Sequence, residues 1–261
     1  MHNTTDLNPQ AALSMRNLVR VFGDFVACRD ISLDIPRGSF YGIVGPNGAG
    51  KTTMLSMATG MLQPTAGQVS VLGVNVWQDS EKAKALLGVL PDGVFTFDRL
   101  SGPDLVTYTG LLHGLPANLV RERTADLLNA LGLEDAGDKL VLDYSAGMRK
   151  KILLACALVH SPSVLVLDEP FESVDPISAA TIKEMLHSFC QKGGTVILSS
   201  HVMDTVQKIC THVAVIDHGV VKAAGTLSEV AQGQDLDTRF EELVGRHREG
   251  GDIAWLAPSL D

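Results

Sequence analysis

The stretch Gly45-Pro46-Asn47-Gly48-Ala49-Gly50-Lys51-Thr52-Thr53 constrains this chain more than any other. It fits the phosphate-binding pattern G-x-x-x-x-G-K-[ST], and both flanks fit too. The apolar run Phe40-Tyr41-Gly42-Ile43-Val44 before it predicts a buried strand, and Met54 to Gly60 after it is apolar at helical spacing and closed by a glycine. Gly45, Gly48 and Gly50 let the backbone take positive φ and approach an anion closely, because no Cβ intervenes. The loop amides, with those opening the helix at Lys51, can form a nest for phosphate oxygens. Lys51 would place its ammonium on the β- and γ-phosphates, and the Thr52 hydroxyl would ligate Mg²⁺. The bland alternative is a glycine turn that only joins a strand to a helix. With every fixed position and both flanks present, the stretch implies a nucleoside triphosphate site.

Around this loop the chain alternates between two textures. Residues 1–12 read as a disordered leader. Met15 to Phe22 and Phe25 to Ile35 predict two strands joined by the turn dipeptide Gly23-Asp24, and Gln68 to Leu72 predicts another. A short helix over 79–87 and a strand from Leu87 to Pro91 follow. From Asp92 to His160 the periodicity turns helical, with helices expected over Leu105–Leu112, Arg121–Leu131 and Ser145–Val159. The core pattern then resumes at Ser163 to Leu167, a run suited to a strand buried on both faces. A helix over Ser178–Gln191, a strand over Thr195–Ser200, a helix over Met203–Ile209 and a strand over Val213–Ile216 complete it. This order predicts an α/β protein with a mainly parallel sheet, an antiparallel β subdomain at its start and a helical subdomain inserted at 92–160. The nucleotide domain is expected over 13–243, with 244–261 a tail.

In such sheets ligands sit at the carboxyl ends of strands. Lys51, Asp168 and His201 all follow such ends. Asp168 can hold Mg²⁺ through water, and Glu169 can orient or deprotonate an attacking water. His201 is expected to touch the γ-phosphate, the alternative being a helix cap.

Composition narrows the classes. A formal charge of −9 argues against general nucleic-acid binding, since only Arg149-Lys150-Lys151 is locally basic. Cys28, Cys156, Cys190 and Cys210 lack metal-type spacing and read as reduced core thiols of a cytosolic protein. Met1 to Gln10 is polar, unlike a signal peptide. The longest uncharged apolar run, Ile152 to Val159, is far short of the ~20 residues that span a bilayer.

Further motifs carry a family resemblance. Tyr144-Ser145-Ala146-Gly147-Met148, ahead of a helix and upstream of the Asp-Glu pair, resembles the signature loop of ABC-transporter ATP-binding subunits. Glu172-Ser173-Val174-Asp175-Pro176 is similar to their D-loop, His201 to their switch histidine, and Phe22 to the aromatic that stacks on adenine. The likeness covers about residues 13–225. The Tyr-Ser-x-Gly-Met-Arg form and the Leu-Pro-acid segment at 90–92 are most similar to the ABC-2 type branch, many members of which export drugs, lipids or polysaccharides.

The resemblance implies a P-loop NTPase (RecA-like) core, ATP and Mg²⁺ as cofactors, and ATP hydrolysis that powers a separately encoded membrane permease from the inner face of the membrane. It also implies a homodimer, or a heterodimer with a related subunit, in which Ser145 and Gly147 of one chain hold the γ-phosphate bound by the other. Asp92 stands where the family usually has Gln serving Mg²⁺ and the permease link, and a carboxylate there would repel a phosphate at close range. Val94, Phe95, Phe97 and Leu100 are expected either to line the groove for the permease helix or to pack the subdomain on the core. A soluble ABC-type ATPase, usually with two nucleotide domains or a coiled-coil insertion, is the alternative function. A P-loop GTPase or kinase is another, without an Asn-Lys-x-Asp motif to support it.

Overall fold

The computed structural model describes residues 6–93, 97 and 99–245. The chain opens with an antiparallel hairpin, β1 (Leu13–Phe22) and β2 (Phe25–Ile35), in which Phe22 pairs with Phe25 across the Gly23-Asp24 turn. β3 (Phe40–Val44) runs through the phosphate loop into α1 (Lys51–Ala58). β4 (Ala66–Val71) and β5 (Val74–Asn75) complete a four-stranded sheet in the order β2-β1-β4-β5. α2 (Ser80–Leu86) and β6 (Leu87–Leu90) lead into three consecutive helices, α3 (Gly102–Leu112), α4 (Ala117–Ala130) and α5 (Ala146–Leu158). The core resumes with β7 (Val164–Leu167), α6 (Pro176–Gln191), β8 (Thr195–Ser200), α7 (Met203–Ile209), β9 (His212–Asp217) and β10 (Val220–Thr226). α8 (Leu227–Ala231) and α9 (Leu236–Val244) follow.

The second sheet has the order β10-β9-β3-β8-β7-β6, with β9 through β6 parallel and β10 antiparallel to β9. Its period of two divides each apolar run between two cores. Phe40, Val44, Leu165, Leu167, Val196, Leu198, Val213 and Val215 face the core shared with the inserted helices, α6 and α7. Tyr41, Ile43, Val164, Val166, Ile197, Ala214 and Ile216 face α1 and the antiparallel sheet. Each such Val, Leu or Ile contributes about 1.5–3 kcal/mol through burial, so the central strands are held from both faces. That is why they read as continuous apolar runs instead of alternating ones.

Helix starts are marked by side chains that satisfy the first free amides. Ser101 accepts from the Asp104 amide, Ser145 from Met148, and Asp175 from Ser178, with Pro103 and Pro176 supplying fixed φ in their first turns. Two short elements, β5 and α8, were not expected.

The leader needs correction at its distal end. Residues 6–12 are held on the antiparallel sheet: the Ala12 amide donates to the Ile35 carbonyl, the Leu72 amide donates to Ala12, and Arg16 Nε donates to the Asp6 carbonyl. Ala11 and Ala12 are buried. Two alanines give little pattern to read, and Ala12 lies in the core beside the antiparallel sheet. Residues 1–5 and 246–261, which include most of the expected tail, lie outside the described residues, as do Val94 and Phe95.

The inserted helices meet the main sheet at a stacked histidine pair. The rings of His113 and His160 lie parallel, with centroids 3.7 Å apart. His160 Nε2 donates to the Leu87 carbonyl at 2.9 Å, while its Nδ1 is buried without a partner. Burial, followed by the charge His113 and Arg123 would present, pushes the His160 ring from 6.5 down to about 4. A base whose folded value lies below its unfolded value withdraws stability as pH falls from about 6.5 towards about 4. Urea midpoints measured across that window should therefore fall more steeply for the parent than for a His160→Gln variant.

Candidate functional site

The phosphate loop owes its shape to two glycines. Gly50 caps α1 in a left-handed conformation, φ +102°, which an L side chain resists. A Cβ on Gly45 would collide with the Ile216 carbonyl of β9. The loop thus lies tightly over the neighbouring strand. Lys51, the first residue of α1, is 7% exposed, and its Nζ donates to the Gly45 carbonyl at 2.8 Å and to Pro46 at 3.3 Å. Burial lowers its pKa, opposed by the nearby charges of Glu169 and Asp168. An anion bound in the loop would relieve that burial cost.

The carboxylates are placed by β7 and β8. Asp168 is 4% exposed and accepts a short hydrogen bond from the Ser199 hydroxyl, while its amide donates to Leu90 at the end of β6. Glu169 has φ +45°, rare for a non-glycine residue. Its amide donates to Ser199 Oγ at 2.9 Å, and its carbonyl accepts from Lys150 Nζ at 2.9 Å. His201, two residues beyond Ser199, places Nδ1 3.1 Å from Glu169 Oε1.

These groups converge on one cleft of about 480 Å³. Asn47, Gly48, Ala49, Gly50, Lys51, Thr52 and Thr53 line it together with Asp92, Glu169 and His201. Asp168 is not on the cleft wall but is buried next to Glu169. Gly45 and Pro46 contribute carbonyls to Lys51. Phe22 is not on the cleft wall; it lies under the Arg20 guanidinium, 4.5 Å from the ring centroid, and Phe25 across the hairpin lines the cleft instead. Ser145 and Gly147 are also elsewhere, at the start of α5. A Cβ on Gly147 would come within 2.8 Å of Asp175 Oδ2 and 3.0 Å of Ser178 Oγ, so this helix start packs directly on the start of α6. Leu100 packs on the core, whereas Phe97 is exposed against Tyr108, their centroids 5.4 Å apart.

Comparison with known proteins agrees with this geometry. The family profile described as ABC transporter matches residues 28–172. The chain belongs to the ABC transporter family. It is 35% identical to the ABC transporter ATP-binding protein NatA of Bacillus subtilis, over 84% of this chain and 91% of that protein. It is 34% identical to the daunorubicin/doxorubicin resistance ATP-binding protein DrrA of Streptomyces peucetius, over 85% of this chain and 67% of that one. A solved ATP-binding subunit of an ABC transporter superimposes with a TM-score of 0.83 at 25% identity, covering 89% of this chain and 99% of the other. As an ATP-binding subunit of the ABC family, the chain binds ATP with Mg²⁺ and hydrolyses it. Among the described residues no helix is long and apolar enough to cross a membrane.

The donors present fit Mg²⁺. Exposed Thr52 lies on the cleft wall and the Asp168 carboxylate is buried next to Glu169, so the protein offers few ligands and all are oxygen, as suits an ion that retains several waters.

Residues at this ABC site that were not anticipated include Ser199, Lys150 and Phe25. Ser199 lies two residues before His201 in a run ending at the same strand edge, a faint signal. Lys150 had none beyond its charge. Ser199→Ala leaves the Glu169 amide without its partner, so it should destabilise the fold by about 1–3 kcal/mol. The shift in urea midpoint measures this, and no shift would mean the amide finds another partner.

Proposed function

We propose that this chain is the energy-supplying subunit of an ABC-2 type exporter. Residues 13–243 form its nucleotide domain and 92–160 the inserted helical subdomain. The observation that carries the reading is the meeting of Lys51, Glu169 and His201 in one cleft, with buried Asp168 tied to Glu169 through Ser199.

In this reading ATP lies with its phosphates on the loop amides from Gly45 to Thr53. The Lys51 ammonium exchanges its Gly45 and Pro46 carbonyls for the β- and γ-phosphates. Thr52 and Asp168 would hold Mg²⁺, which would offset the negative charge of the phosphates. Glu169 takes the proton of the attacking water as general base. His201 keeps the Glu169 carboxylate turned into the cleft and contacts the γ-phosphate. Phe25, which lines the cleft at the hairpin tip, offers an aromatic face to the base, with Phe22 paired to it across the turn. Asp92 acts through water, since direct contact with phosphate is repulsive.

Ser145 and Gly147 stand away from this chain's own cleft but open a helix whose amides and dipole suit an anion. Their place is explained if a second chain supplies the phosphate, in a homodimer or with a related subunit. Closure of the pair on ATP and reopening after hydrolysis would drive an integral membrane permease, with the subunit peripheral on the inner face of the cell membrane. The relatives named for drug resistance support export as the direction.

Glu169→Gln should retain ATP binding, lose about 10²-fold or more in turnover and accumulate as an ATP-bound dimer. Hydrolysis at the parental rate would remove Glu169 from the role of base. Lys51→Ala should weaken ATP binding measured by titration calorimetry, and an unaltered dissociation constant would undermine the loop assignment. Exposed Phe97 and Tyr108 form an apolar face on the helical subdomain. Replacing both by Ser should reduce co-purification with the permease, and full recovery would place the contact elsewhere.

A further inference from the structure

Lys150 has no role in the reading above, yet it touches two parts of the site. It sits on α5, one and a half turns beyond Ser145, and its side chain is largely buried. Its Nζ donates to the Glu169 carbonyl at 2.9 Å and lies 4.0 Å from Asp92 Oδ1. Asp92 lines the nucleotide cleft and also a second cavity of about 370 Å³, whose walls include Ala146, Lys150 and Glu172. One ammonium therefore stands between the helix carrying Ser145 and Gly147, the carboxylate after β6, and the backbone of Glu169.

Two needs meet at that ammonium. Glu169 holds a left-handed backbone that non-glycine residues adopt only when their surroundings enforce it. Ser199 fixes the peptide on its amide side, and Lys150 with the Glu172 amide fixes it on the carbonyl side. Asp92, for its part, is an anion beside a site for a polyanion, and a cation within about 4 Å offsets that repulsion. A glutamine at position 92 would create no such need.

We propose that Lys150 is a positioning residue for hydrolysis: it ties α5 to the Glu169 backbone and neutralises Asp92. Displacement of α5 then reaches the carboxylate through one side chain. The proposal rests on Glu169 being the base, so the two must be separated experimentally.

The test uses the full chain with Mg²⁺ and ATP, measuring turnover, KM and thermal midpoint. Lys150→Met should lower kcat by about ten- to a hundredfold, the scale of a misplaced catalytic group, with KM changed by less than that. Lys150→Arg should recover most of the loss, because it keeps the cation and a donor. In the Lys150→Met background, Asp92→Asn should raise turnover, since the stranded anion is gone. Parental turnover in Lys150→Met, or no gain on adding Asp92→Asn, would overturn the proposal. So would a loss of turnover explained by a matching fall in thermal midpoint in both Lys150→Met and Lys150→Gln. If Glu169→Gln is inactive while Lys150→Met is unimpaired, only the Lys150 role fails. If Glu169→Gln turns over normally, the base assignment itself has failed.

Discussion

The Ser199 hydroxyl at the end of β8 donates to the Asp168 carboxylate and accepts from the Glu169 amide, tying the ends of two adjacent parallel strands together. The arrangement of the site follows from that link. β7 stops at Leu167, Asp168 is held inward, and Glu169 turns through positive φ to face His201. A left-handed non-glycine backbone costs about 1–3 kcal/mol. Hydrogen bonds to charged groups are worth about 1.5–3 kcal/mol each, and here one joins Ser199 to a carboxylate and another joins the Lys150 ammonium to the Glu169 carbonyl. Ser199 on its amide and Lys150 on its carbonyl hold the Glu169 backbone in that conformation.

That orientation is useful only because the sheet order puts β3 beside β8 and β8 beside β7. The loop after β3 brings Lys51, and the ends of β7 and β8 bring the carboxylates and His201. The missing Cβ of Gly45 permits the close approach of the loop to β9, and Lys51 at the loop's end feels both acidic charges. The inserted helices attach to this edge at a few defined contacts. Lys150 reaches Glu169, and Gly147 fits against Asp175 and Ser178. These contacts join the inserted helices to Glu169 and to the start of α6.

Most of the fold was legible because its elements carry local signals. The strands over 25–35 and 195–200 and the helix over 203–209 appear where apolar runs and turn residues placed them. Residues 6–12 were misread because a polar segment with two alanines carries no periodicity, and its order comes from hydrogen bonds to strands elsewhere in the chain. β5 and α8 escaped notice because two and five residues are too few to show a period. At the site, Phe22 was expected beside the base from its place in Val21-Phe22-Gly23, and its cross-strand partner Phe25 lines the cleft.

The chain's own order of residues determined the phosphate loop, the buried strands that feed it and the family to which it belongs. Each of these depends on neighbours in sequence: glycines where amides must be bare, apolar runs where both faces are covered, caps where helices begin. Tertiary structure alone decided that Ser199 would hold Asp168 from 31 residues away, and that Lys150 would reach the Glu169 carbonyl across 19. The physical reason is that a side chain's partner is set by strand order and helix packing, and these arise from the burial of two cores at once.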